Sequence, residues 1–478
     1  MRKIYINIYA FIFIFFTTVS MNIFAQEDLI TVVGDSLVGK IVNGESVREV
    51  YGNVILKQGK VTVTCNQAIQ FIARNDAELI GNVIAVQENT TIKTERGFYY
   101  GNEKSTISET GVSLDDGKVI LKAVVGEYFF NEDRAFFHKD VVLYDTATTL
   151  TADSLTYFKS EDRTVATGNV RIIDASNIID SDTLEHFRNT RITFASHRVK
   201  ISNNENNIVI YGDHLEDYAE KNFTLIDKNP LLIQVDTTYN PTDSVNSFTL
   251  DTLVIQSLVM EAYRDITNLF YAKDSVKIVR GDFASTNDLT IYYRDIDKII
   301  TSKHPRSLKQ PVLWQANSQL TGDSVTIYLR EKQISLMDVD RNAFILSQHD
   351  IYRDRFDQTS GDRVSIHFKE KTIDYTEIFG SVYSIYYLYE NNEPNGLTKS
   401  TSRNAIIKFE DKTVSEVRLY GSPSSEYYPE GQVAGKELSF TLPKYVFYPD
   451  RPVKEKLIPE WIYENQGKIK LLNQIGIQ

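Results

Sequence analysis

The stretch TADSLTYFKSEDRTVATGNVRII, running from Thr151 to Ile173, decides how this chain is read. Leu155 and Tyr157 alternate with Thr156, the period-2 pattern of a strand with one apolar face. The polar run from Lys159 to Thr164 reads as a turn. Val165-Ala166-Thr167 then begins a second strand that leads into Gly168-Asn169-Val170. Asp153 follows a small residue and is expected to open the first strand, where its carboxylate can accept backbone N–H groups. Gly168-Asn169 suits a corner that needs positive φ.

Outward from this stretch the same parts return along most of the chain. The opening element recurs as Asp182-Thr183-Leu184, Asp213-His214-Leu215, Asp323-Ser324-Val325 and Asp362-Arg363-Val364. Asn takes the Asp place in Asn287-Asp288-Leu289 and Asn404-Ala405-Ile406. The closing element recurs as Gly52-Asn53-Val54 and Gly81-Asn82-Val83, with degenerate copies at Gly97, Gly126 and Val259. Asp153 and Asp182 are 29 residues apart, Asp182 and Asp213 31, and Asp323 and Asp362 39. A period of this size predicts a stack of short-stranded units, none of which can bury its apolar face alone. The 28 Tyr and 25 Phe agree with strands, and 478 residues exceed one compact core.

The repeat loosens after residue 230. Asp236 to Ser247 reads as a linker or long loop, and Pro443, Pro449, Pro452 and Pro459 follow the last unit. The expected order is a signal peptide over residues 1–25, a β-repeat domain over 26–235, a more divergent one over 248–442, and a C-terminal cap or tail over 443–478. A short helical stretch is expected from Glu460 to Ile475.

Arg2 and Lys3 precede an apolar run and a small-residue cut site at Ala25, the pattern of a cleavable export signal. Their removal takes the net charge from −12 to −14, which argues against nucleic acid as a partner. The single cysteine, Cys65, excludes an internal disulfide and reads as a small packed residue. The seven His residues lack metal-site spacing, and the chain shows no nucleophile elbow and no phosphate-binding loop. No cofactor, metal or catalytic residue is expected. A secreted β-helix enzyme acting on polysaccharide would need acids or bases clustered on one face of adjacent units. The aligned units instead carry Asp only at the turn position.

Gly-Asn-Val, then a small residue with Asp-x-Leu-x-Tyr, then Gly-Asn-Val again resembles the OstA/LptA-like family of lipopolysaccharide-transport proteins, most clearly over residues 140–173. That resemblance implies an all-β fold, an elongated repeat β-jellyroll or β-taco of two facing antiparallel sheets, as one body or two consecutive domains. It implies a periplasmic, outer-membrane-associated bridge that shields the acyl chains of lipopolysaccharide or a related acylated glycolipid. It further implies end-strand pairing with other jellyroll proteins of the bridge, and contact with the outer-membrane translocon. The apolar residues assigned to the groove are Ile69, Phe71, Phe98, Tyr100, Tyr128, Phe130, Leu155, Tyr157, Leu184, Leu215, Val325, Ile327, Val364 and Ile366. The same residues fit a closed core that touches no ligand, as in a scaffold of the same machinery.

Overall fold

The computed structural model describes residues 29–462, apart from 176, 204–206, 240–247, 308, 332, 371 and 411–412. The signal reading of residues 1–25, and most of the helix expected from Glu460 to Ile475, lie outside them. The described residues are almost all strand, paired antiparallel with their sequence neighbours. The chain forms two compact units. The first runs through Leu114 and includes Glu127–Glu132; the second is Asp115–Gly126 with the chain from Asp133 onward.

The strand Thr149–Phe158 shows how the second unit is built. Leu150 and Ala152 are buried, then Leu155 and Tyr157, so the buried positions change phase around exposed Asp153. In the next strand, Arg163–Ile173, Ala166 and Val170 are buried on either side of Gly168 (φ 76°) and Asn169 (φ 45°). The pairing register skips at the same place. A strand that changes phase while both halves stay in one core must turn at a bulge. Each long strand is thus two half-strands, one in each of two walls. Left-handed residue pairs mark this corner at 139–140, 197–198, 274–275, 341–342 and 380–381. In the first unit they stand at 52–53 and 81–82, 29 residues apart.

Asp153, Asp182, Asp213 and Asp362 therefore stand at mid-strand and not at the opening of a strand, as the sequence suggested, whereas Asp323 does precede its strand, Ser324–Arg330. Asp153 Oδ2 accepts the Asn169 side-chain amide at 2.9 Å. A Cβ on Gly168 would stand 2.9 Å from Cβ and Cγ of that aspartate, so the corner has room for glycine alone. Asp35 and Asn53 repeat the arrangement at 2.9 Å in the first unit. Sequence could not tell a turn between strands from a bulge within one, because both favour Asp, Asn and Gly.

The two walls share one interior. In the second unit Ala195, Leu215 and Ile226 of the first wall pack with Val199 of the second. Further on, Met260, Phe270 and Ala272 meet Leu232, Ile255 and Ile278 in the same way. This is the folded, two-walled antiparallel architecture that the family resemblance implies. The stretch read as a linker joins the ladder as far as Tyr239, which pairs with Phe248.

After the strand Ser424–Tyr428 the chain returns along the outer face of the second wall. Leu457, Ile458 and Ile462 cover Leu231, Ile233, Val254, Val279 and Trp314. Val433 and Leu442 cover Leu346, Ile385, Tyr387 and Leu397. This explains why runs such as Leu231-Leu232-Ile233 are apolar on both faces. Arg355, almost fully buried, holds the start of the segment through Glu430 (3.1 Å from Oε2) and Glu437 (3.4 Å). Gln358 bonds the Phe440 carbonyl (3.0 Å) and the Leu442 N–H (2.8 Å).

Candidate functional site

The candidate site is the interior between the walls and the rim where they meet. Ten of the residues assigned to a groove lie in that interior. Tyr128 and Phe130 belong to the first unit, where Phe130 packs on Tyr99. Leu155, Tyr157, Leu184 and Leu215 belong to the second. Val325, Ile327, Val364 and Ile366 join one cluster with Val339 and Ile378. All ten are between 0 and 6% exposed. Their surfaces are covered by protein, so the interior is closed at these positions, while Ile179, Ile201 and Ile210 of the second unit are only partly buried.

The other four lie on the outer face of the first unit. Ile69, Phe71, Phe98 and Tyr100 are half-buried, with Phe71 stacked on Phe98 at 5.9 Å and Arg74 over Phe71 at 4.3 Å. The inward positions belong to Ala68, Gln70, Gly97 and Tyr99. Cys65 and Ala68 are both buried around exposed Asn66, so the phase slips before Ile69. In Phe98-Tyr99-Tyr100 both phases are aromatic, and alternation could not decide between them. Alanines were missed as well. Ala166, Ala195 and Ala272 line the interior, and their small size hid them in the pattern.

Polar side chains close the rim. In the first unit Gln58, at the end of its second-wall half-strand, accepts the Tyr99 hydroxyl (2.7 Å) and donates to the Gly101 carbonyl (2.8 Å). In the second unit the turn Asp116–Val119 reaches across to the first wall. Asp116 accepts the Tyr157 hydroxyl at 2.7 Å and the N–H groups of Lys118 and Val119 at 2.9 Å each. Lys118 Nζ bonds both carboxylate oxygens of Asp162 (2.7 and 2.9 Å). The Arg188 guanidinium donates to the Lys118 carbonyl at 3.4 Å and lies 3.9 Å from Asp145. Burial pushes the Asp116 carboxyl up, but these hydrogen bonds outweigh it and hold the group below the usual carboxylate range. Burial, then Asp116, raises the Tyr157 phenol. The buried bond between Asp116 and Tyr157 is of the charge-assisted kind, about 1.5–3 kcal/mol. Lys118 is half exposed, so its pair contributes about 0.2–1 kcal/mol.

Beside this clasp, one inward row of the first wall runs Tyr157, Thr164, His186, Thr193, Asp217, Thr224 and Ala262, directly opposite one another on successive strands. Its middle is polar. His186 Nδ1 meets Thr193 Oγ1 at 3.0 Å, and Asp217 accepts Thr224 (2.6 Å) and Arg264 (2.9 Å). Burial holds His186 below the ordinary imidazole range. Past Ala262 the row turns apolar through Phe270, Tyr292, Ile299, Ile327 and Met337. Among the described residues no group of three or more His, Cys, Asp or Glu is placed to hold a metal ion. Chemically, the interior can exclude water from apolar groups, and its rim can bind polar ones.

No curated protein matches the chain. Among solved structures it is similar to LptH, the LptA-homologous periplasmic component of the conserved lipopolysaccharide transport device from Pseudomonas aeruginosa. Identity is 14%, coverage 37% of this chain and 95% of LptH, and the TM-score 0.13, too low to carry an inference. Residues 26–137 match the family model described as OstA-like protein, which accounts for less than a quarter of the chain. The match, confined to residues 26–137, is to the family that the repeat resembles.

Proposed function

We propose that this protein is a non-catalytic, periplasmic carrier that shields the acyl chains of lipopolysaccharide, or of a related acylated glycolipid, between its two walls. The observation that carries the reading is the inward apolar face that successive half-strands of both walls share. Acyl chains in water lose about 0.8 kcal/mol for each unburied CH₂, so such a face is a sink for them where the walls part. The OstA-like match supports the same reading.

The end strands support partners in a bridge. Ser36–Val42 pairs with Glu45–Gln58 and leaves Leu37 and Ile41 53 and 78% exposed. Thr413–Tyr420 pairs with Glu393–Glu410 and leaves Val417 and Tyr420 exposed. Apolar edge strands of this kind recruit another strand. The partners would be other OstA/LptA-like jellyroll proteins and the outer-membrane translocon. A second reading, a lipid-free scaffold in the same envelope machinery, is favoured by the near-complete burial of the ten interior residues. Mass spectrometry of lipids extracted from protein purified from its native envelope without detergent decides between them. Stoichiometric acylated glycolipid supports the carrier. Lipid-free protein that still captures an envelope protein through its end strands supports the scaffold.

A further inference from the structure

The rim of the second unit carries an inference that rests on the carrier reading. We propose that the clasp of Asp116, Lys118, Tyr157, Asp162 and Arg188 is a side door to the interior, which parts before an aliphatic chain is taken up. The corner side of the interior is continuous backbone ladder, which nothing can cross without breaking strand pairing. At the clasp the walls are joined by side chains and by two long contacts from Arg188 to the Lys118 carbonyl. These bonds can break while every strand stays paired. The turn moves as a piece, because Asp116 binds its own Lys118 and Val119 N–H groups. Half-exposed Lys118 leaves its ion pair open to competition from solvent and salt.

Tyr157 couples the door to the core. Its hydroxyl sits in the clasp, and its residue is 1% exposed on the strand that also buries Leu155. Directly behind lie Ala166 and Leu184, paired with Leu155 across the ladder. The polar row of Thr164, His186, Thr193, Asp217 and Thr224 begins at the same rim. It offers hydrogen bonds to the polar end of an amphiphile whose chain lies further in. The apolar row beyond Ala262 offers none of this, so the clasp is where an amphiphile can enter with both ends satisfied.

The test places one cysteine at Ala166, behind the clasp, and in a second protein one at Ala405, buried far along the same unit, both in a Cys65→Ser background. Maleimide labelling is followed with the clasp intact and with Lys118→Ala plus Tyr157→Phe, which keeps the ring in the core. Local opening sets the labelling rate of a buried thiol, so the position-166 rate should rise at least about tenfold while the position-405 rate stays unchanged. Equal acceleration at both sites, or none at 166, overturns the door. Association of fluorescein-labelled lipopolysaccharide should accelerate by the same factor. Clasp-dependent labelling without any lipopolysaccharide binding would support the door and overturn the carrier reading.

Discussion

Replacing Gly168 by Ala tests the corner on which the two walls depend. At φ 76° an alanine is strained by about 1–2 kcal/mol. Its Cβ would stand 2.9 Å from Cβ and Cγ of Asp153, so the aspartate must shift and release the Asn169 amide, about 1 kcal/mol more at an exposed site. The expected loss is ~2–3 kcal/mol. Gly281, at φ 54° with open space around it, isolates the backbone part, so Gly281→Ala should cost only about 1 kcal/mol. Asp153→Ala removes Cγ and the carboxylate while keeping Cβ, so it relieves most of the obstruction, and the double variant Gly168→Ala/Asp153→Ala should cost less than the two singles together by ~1 kcal/mol. Both tryptophans, Trp314 and Trp461, belong to the second unit, so fluorescence during urea unfolding reports on the affected body. Equal costs at Gly168 and Gly281, or strictly additive singles, would refute the account of the corner.

Three other perturbations follow from the same geometry. Arg355→Met leaves Glu430 and Glu437 without their buried partner, a loss of roughly 3–5 kcal/mol, and should make residues 429–462 sensitive to limited proteolysis; resistance equal to the native chain would count against the latch. Burial raises the Asp357 carboxyl to about 7, against the Tyr387 N–H bond at 2.9 Å. A carboxyl raised on folding binds its proton more tightly in the native state. The strand Phe356–Lys369 should therefore be most stable below the ordinary carboxylate pKa of about 4 and lose stability as pH rises through 7. Asp357→Asn keeps the acceptor and should flatten that dependence in hydrogen exchange, whereas an unchanged slope would exclude Asp357 as its source. Leu184→Ala, at 2% exposure, should cost about 2–5 kcal/mol by the tryptophan assay; a loss below 1 kcal/mol would mean the interior there is not closed.

Local chemistry made much of this protein legible before any coordinates. Alternation at Leu155 and Tyr157 is a property of the strand itself, and Gly168-Asn169 announces positive φ because glycine and asparagine adopt it most readily, whereas the pairs at 139–140, 197–198, 274–275 and 341–342 carry no such Gly-Asn signal. Repetition of those signals was enough for an all-β stack, and the two walls were what the family resemblance implied. The place of Asp153 within its strand was not legible, since a bulge and a turn draw on the same residues. Nor was the inward choice of Tyr99 over Phe98, where both phases are aromatic.

Tertiary structure alone decided the contacts between residues far apart in sequence. Lys118 and Asp162 are separated by 44 residues, Arg355 and Glu430 by 75. Neither pair carries a local pattern, because a salt bridge needs only opposite charges brought together by the path of the chain. Whether an apolar face is an open trough or a filled core likewise depends on how closely two walls meet. That distance is set by packing across the interior, which no single strand's sequence contains.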